Sequence, residues 1–382
     1  MPSPNPRAGS RARLHIVLVP GFAGFDALGQ LEYYAGITPL FQKRPPRNEA
    51  LHYFDNFPTA AVVTRAARLR KYLAKRIARG EIASGDEVIL VGHSTGGLDI
   101  RWLLRSLHRR RTPIVVDGGV GVEPAKILAH VRRVVFLSVP HWGTNIADWV
   151  HEYPVWRKAV VAELCASVAG SQVLLLDRLE SAIAGGAACL TSAGLLRALQ
   201  DSLTEANAHN GRPGPARTAD AQEAASQLAL YLRHIASDFG AIDDLTARRP
   251  QGKPQSPAHL SVEEREAELA LWQELRIDVR SYVTLGRRPF RFDPEYRAPV
   301  WELCRPWTCP ELAKDGEQSA GTDIVYRTSY RACAGGPLER PLLSGTVARR
   351  LGPVAEGEIA LWDNDGIVNT VSMFWPKGEG FP

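Results

Sequence analysis

The chain has 382 residues, and its hydrophobic share of 45% and charged share of 23% are those of an ordinary globular protein, which excludes wholesale disorder. No apolar run approaches the ~20 residues of a membrane-spanning helix, so a transmembrane segment is not predicted. The net charge of +5 does not predict a nucleic-acid partner, because the basic run at 109–111 falls where a helix is expected to end and no aromatic residues alternate with it.

The five cysteines are too few and too scattered for a disulfide scaffold, and their spacing matches no zinc motif. We therefore predict no structural metal. The N-terminal residues show no cleavage pattern of a signal peptide, which predicts a cytoplasmic protein, with secretion as the alternative.

The first predicted element is a strand at 14–19, a continuous run of β-branched and leucine residues. An amphipathic helix is predicted at 62–77, with Arg65 among the basic residues off its apolar stripe. A buried strand follows at 87–91, and apolar residues at helical spacing follow it at 100–107.

A further strand is predicted at 134–139, helical signals dominate residues 145–260, and a late strand is predicted at 278–285. Strands that alternate with amphipathic helices predict an α/β fold, with a mostly parallel sheet and helices on both faces. We divide the chain into an N-terminal half of the core at 1–144, a helical lid or cap insertion at 145–260, and a C-terminal part of the core at 261–382.

The sequence GHSTG at 92–96 lies between a predicted strand and a predicted helix. Small residues on both sides of a serine at such a junction are typical of a nucleophile elbow, which pushes the serine out at the carboxyl edge of the sheet. Acyl transfer also needs two N–H donors for the oxyanion, and we predict those of Thr95 and of Phe22 in the loop after the first strand.

Four segments together resemble the α/β-hydrolase lipases of the Bacillus and Staphylococcus group: LVPGF at 18–22, GHSTGG at 92–97, PHWGT at 140–144 and DNDGIVNTVSM at 363–373. The resemblance implies that Ser94 is the nucleophile, that the N–H groups of Phe22 and Thr95 form the oxyanion hole, and that Asp365 is the triad acid. It also implies an ester or lipid substrate, contact with a lipid interface through the lid, and no redox cofactor. The metal ligands of those lipases have no matching positions here.

The chain departs from this pattern in its histidines. In α/β-hydrolases the catalytic histidine follows the acid in the chain, whereas all ten histidines here lie at or before His259. Three hypotheses stay open: the C-terminal segment that bears the histidine is missing, the protein is an impaired hydrolase that binds an acyl or aromatic ligand, or His141 acts as a surrogate base. His93 is expected to pack with its side chain away from the Ser94 hydroxyl.

Four aromatic residues follow the His141 turn and are predicted to line an apolar acyl pocket under the lid: Trp142, Trp149, Tyr153 and Trp156. Ordinary packing between the lid and the sheet is the alternative role for this cluster. The favoured hypothesis is therefore that the protein is a serine ester hydrolase, and the alternative is that it is a pseudoenzyme on the same fold.

Overall fold

A computed structural model describes residues 12–24, 27–28, 31–34, 37–43, 48–152, 230, 234, 238–284, 333, 364–365 and 367–375. All statements below concern these residues. Among their helices, none is long and apolar enough to cross a lipid bilayer.

The centre of the fold is a parallel sheet of five strands: β1 (Leu14–Val19), β4 (Glu49–Tyr53), β5 (Glu87–His93), β8 (Val131–Leu137) and β9 (Asp278–Tyr282). Across the sheet they lie in the order β4-β1-β5-β8-β9. Two short antiparallel pairs stand apart from it, namely β2 (Ala27–Leu28) with β3 (Leu31–Glu32), and β6 (Ile114–Val115) with β7 (Gly121–Val122).

Seven α-helices accompany these strands in the described part of the chain. They are α1 (Ile37–Gln42), α2 (Val62–Ala78), α3 (Thr95–Arg109), α4 (Pro124–His130), α5 (Asn145–Glu152), α6 (Ala241–Leu245) and α7 (Val262–Glu274). Single turns of 3-10 helix lie at Asp117–Gly119, Pro257–His259 and Thr370–Met373.

The core forms because the central strands are apolar on both faces and the helices bury one stripe each. Val17 and Val19 of β1 and Leu90 of β5 are fully buried, as expected of strands covered by helices on both sides. The predicted apolar stripe of α2 is buried along its whole length, from Val62 to Ile77. The prediction for Arg65 is wrong: its side chain is fully buried as well.

The predicted parallel α/β architecture is confirmed, and the element boundaries differ by a few residues. β5 extends to His93, β9 ends at Tyr282, and β8 lies at Val131–Leu137 instead of 134–139. β8 stops because Ser138 takes a left-handed backbone conformation, with a φ of 51°. Of the predicted lid, α5 and α6 are described, whereas 153–229 lies outside the described residues; the division into 1–144, 145–260 and 261–382 stays a prediction.

Candidate active site

Ser94 occupies a sharp turn between β5 and α3. Its backbone has φ 51° and ψ −127°, a conformation that non-glycine residues rarely adopt. The turn is held on both sides, because Ser94 N donates to Leu137 O at 2.9 Å and Gly97 N donates to Ser94 O at 3.0 Å. Strand, strained serine and helix are the geometry of a nucleophile elbow, so the backbone here matches the predicted one.

The glycines around Ser94 are required by close packing. A Cβ atom at Gly96 would lie 2.4 Å from Val19 O, and one at Gly92 would lie 2.7 Å from the Cα of Gly97. Both distances are far inside van der Waals contact, so α3 can begin against β1 and β5 only where these side chains are absent.

The loop after β1 lies directly against the serine. A Cβ atom at Gly21 would lie 2.7 Å from Ser94 Cβ. The structure gives neither the Phe22 N–H nor the Thr95 N–H a hydrogen-bond partner within the described residues. The two predicted donors therefore lie on segments that flank Ser94, and neither N–H group is bound by another described residue.

Tyr33 connects this loop to the elbow. Its hydroxyl accepts a hydrogen bond from Gly21 N at 3.0 Å and lies 2.5 Å from His93 Nδ1. In the tautomer with a bare Nδ1, the hydroxyl donates to His93. Burial lowers the pKa of His93, whereas the nearby charge of Asp365 acts in the opposite direction. The contact with Tyr33 agrees with the packing role expected of His93.

Asp365 is held by three donors. Its Oδ1 accepts from Ile367 N at 3.0 Å and from Val368 N at 2.8 Å, and its Oδ2 accepts from Thr284 Oγ1 at 2.9 Å. Thr284 follows the carboxyl end of β9, so its bond to Asp365 places the carboxylate at the same edge of the parallel sheet as the turn after β5.

The acid loop is fixed to the turn after β8. Ser372 O accepts from His141 N at 3.0 Å, Ser372 Oγ accepts from Trp142 N at 3.0 Å, and the same hydroxyl donates to Gly143 O at 2.7 Å. These three bonds join parts of the chain that are 230 residues apart. The site is thus assembled from the loops after β1, β5 and β8 and from the segment around Asp365.

The surroundings of His141 do not favour the role of surrogate base. The side chain is fully buried, packs against the rings of Phe136 and Trp375, and has its Nδ1 3.4 Å from an Arg101 nitrogen. Its Nε2 has no hydrogen-bond partner among the described residues. Burial, followed by the charges of Arg101 and Arg265, holds the pKa of His141 well below its ordinary value. Such an imidazole is a poor proton acceptor.

The predicted aromatic pocket is described only in part. Trp142 is half-buried. The guanidinium of Arg265 lies over its ring, 3.6 Å from the ring centroid, and this cation–π contact is a packing interaction. Trp149 lies in α5 with its side chain outside the described part, and Tyr153 and Trp156 lie outside the described residues.

Among the described residues, no three or more His, Cys, Asp or Glu side chains lie together in a group that could bind a metal ion. Cys333 is a buried free thiol whose Sγ lies 3.2 Å from Asn369 Oδ1. Burial raises the pKa of Cys333 well above its ordinary value, as expected of a structural cysteine.

Sequence analysis missed the buried residues that support the site. Arg65 and Asp99 form an ion pair at 2.9 Å with both side chains fully buried. Tyr33 binds the loop after β1 through Gly21 N, and Thr284 binds Asp365. The pattern of α2 contained no signal for Arg65, since the sequence places it among the basic residues off the apolar stripe.

No protein-family model matches this chain, and neither does the sequence of any curated protein. Among solved structures, it is similar to a lipase from Staphylococcus hyicus, with 15% identity over 97% of this chain and 82% of that one and a TM-score of 0.39. It is also similar to EstA from Clostridium botulinum, with 16% identity over 97% and 75% of the two chains and a TM-score of 0.44.

The mature form of a lipase from Bacillus licheniformis matches 40% of this chain at 22% identity with a TM-score of 0.26. That match spans about half of the lipase, 49% of its length. Because all three TM-scores are below 0.5, the function is inferred from the geometry of the site. The parallel sheet and the elbow after β5 are those of an α/β-hydrolase fold.

Proposed function

We propose that the protein is a carboxylic ester hydrolase of the lipase or esterase type, with Ser94 as its nucleophile. The observation that carries the proposal is the strained backbone of Ser94 between β5 and α3, with the Gly21 loop packed against it. A non-glycine residue at positive φ costs free energy, and backbone strain of this kind is frequent at active sites.

In the proposed reaction the Ser94 hydroxyl attacks the ester carbonyl and loses its proton to a base. The carbonyl oxygen becomes an oxyanion, which the N–H groups of Phe22 and Thr95 bind more strongly than the neutral carbonyl. Collapse of this intermediate expels the alcohol, and water then releases the acid from the acyl-enzyme. The start of α3 at Thr95 favours the same negative charge through the helix dipole.

Asp365 is the proposed acid. With Oδ1 bound by two backbone N–H groups and Oδ2 by Thr284, its carboxylate is fixed before any imidazole approaches it. A fixed carboxylate orients an imidazole and stabilises its protonated form. A serine hydroxyl without a base is a weak nucleophile, and oxyanion stabilisation and binding alone leave an acceleration of roughly 10³ to 10⁴ over water.

The second candidate is an impaired hydrolase that binds an acyl or aromatic ligand in the same cleft. One observation favours it: His141, the surrogate base that the sequence offers, is buried among Phe136, Trp375 and Arg101. The two candidates differ in whether Ser94 reacts.

The test is hydrolysis of short and medium p-nitrophenyl esters, with the Ser94→Ala variant as the blank and added imidazole as a variable. We expect turnover that depends on Ser94 and rises with imidazole concentration, since free imidazole can supply the proton acceptor to a serine whose oxyanion hole is intact. Labelling by a fluorophosphonate follows the same serine.

A serine that neither turns over esters nor accepts the fluorophosphonate, with or without imidazole, would contradict the hydrolase proposal. Saturable binding of a fatty acid by that inert protein would then support the second candidate.

A further inference from the structure

The guanidinium of Arg65 lies beneath the loop that carries the proposed oxyanion donor. Its Nη2 donates to Pro20 O at 2.7 Å and to Gly21 O at 3.1 Å, and its Nη1 also donates to Gly21 O at 3.1 Å. Further bonds from Nη1 reach Phe57 O and Pro58 O. Two successive carbonyls of the loop are therefore turned towards one buried cation.

The orientation of these carbonyls determines the orientation of the Phe22 N–H. In a planar trans peptide the C=O and the N–H point in opposite directions. The carbonyl of Gly21 belongs to the same peptide as the nitrogen of Phe22. Because Arg65 holds Gly21 O on the inner side of the loop, the Phe22 N–H is held on the other side.

The preceding peptide of the loop is fixed as well. Gly21 N donates to the Tyr33 hydroxyl, while Pro20 O accepts from Arg65. The next residue is also bound, since Ala23 N donates to Pro58 O at 2.7 Å. Among the described residues Phe22 N has no acceptor, whereas the N–H groups of Gly21 and Ala23 on either side of it are bound.

Asp99 connects this arrangement to the nucleophile. Its carboxylate accepts from Arg65 Nε at 2.9 and 3.2 Å and from Asn56 Nδ2 at 3.1 Å. Asp99 lies in α3, five residues after Ser94, so the pair ties the helix that bears Thr95 N–H to the loop that bears Phe22 N–H. Both donors are positioned relative to one buried ion pair.

We infer that Arg65, held by Asp99, is a positioning residue that preorganises the oxyanion hole. The inference rests on the proposed function and adds residues to it. Burial of an ion pair is a weak source of stability, because the desolvation of both charges offsets their attraction. Its position under the oxyanion loop provides the functional reason to retain it.

The test uses Arg65→Lys, which keeps a positive charge for Asp99. A lysine ammonium cannot reproduce the planar fork that binds two carbonyls at once. We expect kcat of ester hydrolysis to fall by about 10- to 100-fold with KM within about twofold, because an oxyanion donor acts in the transition state. Affinity for a boronic acid that adds to Ser94 falls in parallel. Arg68→Lys is the matched control, a half-buried arginine on the same helix that binds Asp55 instead of the loop at 20–22, and it retains the kcat of the wild type.

Hydrogen–deuterium exchange of the peptide that covers residues 18–24 gives a readout that is independent of turnover. We expect faster exchange of this segment in Arg65→Lys and in Tyr33→Phe than in Arg68→Lys. Should Arg65→Lys fail to fold, the double variant Arg65→Met/Asp99→Leu removes both charges together and is measured in the same way.

Unchanged kcat together with unchanged exchange would overturn the inference. If the wild type shows no turnover that depends on Ser94, the proposed function has failed. In that case hydrogen–deuterium exchange of residues 18–24 still tests the role of Arg65. Faster exchange in Arg65→Lys supports the positioning role, and unchanged exchange refutes it.

Discussion

The Thr284 hydroxyl contacts two groups at the carboxyl edge of the sheet, Asp365 Oδ2 and Ser138 Oγ, each at 2.9 Å. A carboxylate can only accept, so the Thr284 hydroxyl donates to Asp365, and its oxygen also lies within hydrogen-bond distance of the Ser138 hydroxyl. Thr284 O in turn accepts from Thr370 Oγ1 at 3.0 Å. A chain of hydroxyls therefore sets the position of the proposed acid.

Replacement of that hydroxyl tests its contribution. In Thr284→Val, of nearly equal volume, we expect a loss of about 1 kcal/mol in the free energy of unfolding. In the imidazole-supplemented ester assay we expect kcat to fall by up to about tenfold at constant KM, because the acid loses its fixed geometry. Thr112→Val, at an exposed threonine, is the control. Equal turnover in both variants would mean that the backbone donors alone hold Asp365.

At this scale the residues proposed for the chemistry can be recognised in the sequence, whereas those that support them cannot. Ser94 and Asp365 belong to local motifs that can be read as strings. Arg65 and Tyr33 act through carbonyls and amides of distant segments, and nothing in their neighbouring residues encodes those partners. The apolar periodicity placed Arg65 off the buried stripe of α2, and the positions of Asp99 and of the Gly21 carbonyl explain why its charge is buried.

At the scale of elements, the junction of β5 and α3 depends on glycines that have no room for a side chain. In Gly96→Ala the new Cβ would meet Val19 O at 2.4 Å and Pro20 O at 2.6 Å. Both are backbone atoms, so a rotamer change cannot relieve the clash.

We expect Gly96→Ala to lower the free energy of unfolding by about 3 kcal/mol or more in urea titrations. The comparison is Gly80→Ala, at a glycine with φ +71° and no atom within 4 Å of the added Cβ, where only the backbone conformation is disfavoured. That change should cost about 1 kcal/mol. Equal losses in the two variants would show that the helix can retreat from β1 without penalty.

Element type followed from local apolar pattern for β1, α2 and β5, and these predictions are confirmed. β4 was not predicted, since EALHY at 49–53 has neither an apolar run nor an apolar alternation. The order of strands in the sheet depends on hydrogen bonds between segments far apart in the chain, which periodicity does not encode.

At the scale of the whole molecule, the half-buried His52 makes the free energy of unfolding depend on pH. The Nε2 atom of His52 lies 2.8 Å from the Nδ1 atom of His15. Burial first, and then the charges of Arg76, His15 and Arg13, lower the pKa of His52 to about 4. An unfolded histidine titrates near pH ~6.5. The stability contributed by neutral His52 is therefore present above that pH and is lost as the pH falls through 4.

We expect His52→Gln to lose less unfolding free energy than the wild type when the pH falls from 7 to 4. Because the side chain is only half-buried, solvent screening reduces the expected difference to about 1–2 kcal/mol. Urea titrations at several pH values measure it, with the exposed His108→Gln as control. Identical pH profiles for His52→Gln and the wild type would contradict the assignment.

The hydrogen bond between Trp142 and Ser372 has a consequence for how the protein is made. It spans 230 residues, so the proposed nucleophile and acid meet only after the residues between them have been synthesised. Long-range contacts of this kind slow folding, because a large loop must close before they form. A nascent chain can complete β1, β5 and the elbow with Ser94 in place and still lack Asp365. The proposed catalytic pair therefore forms later than the turn that holds Ser94.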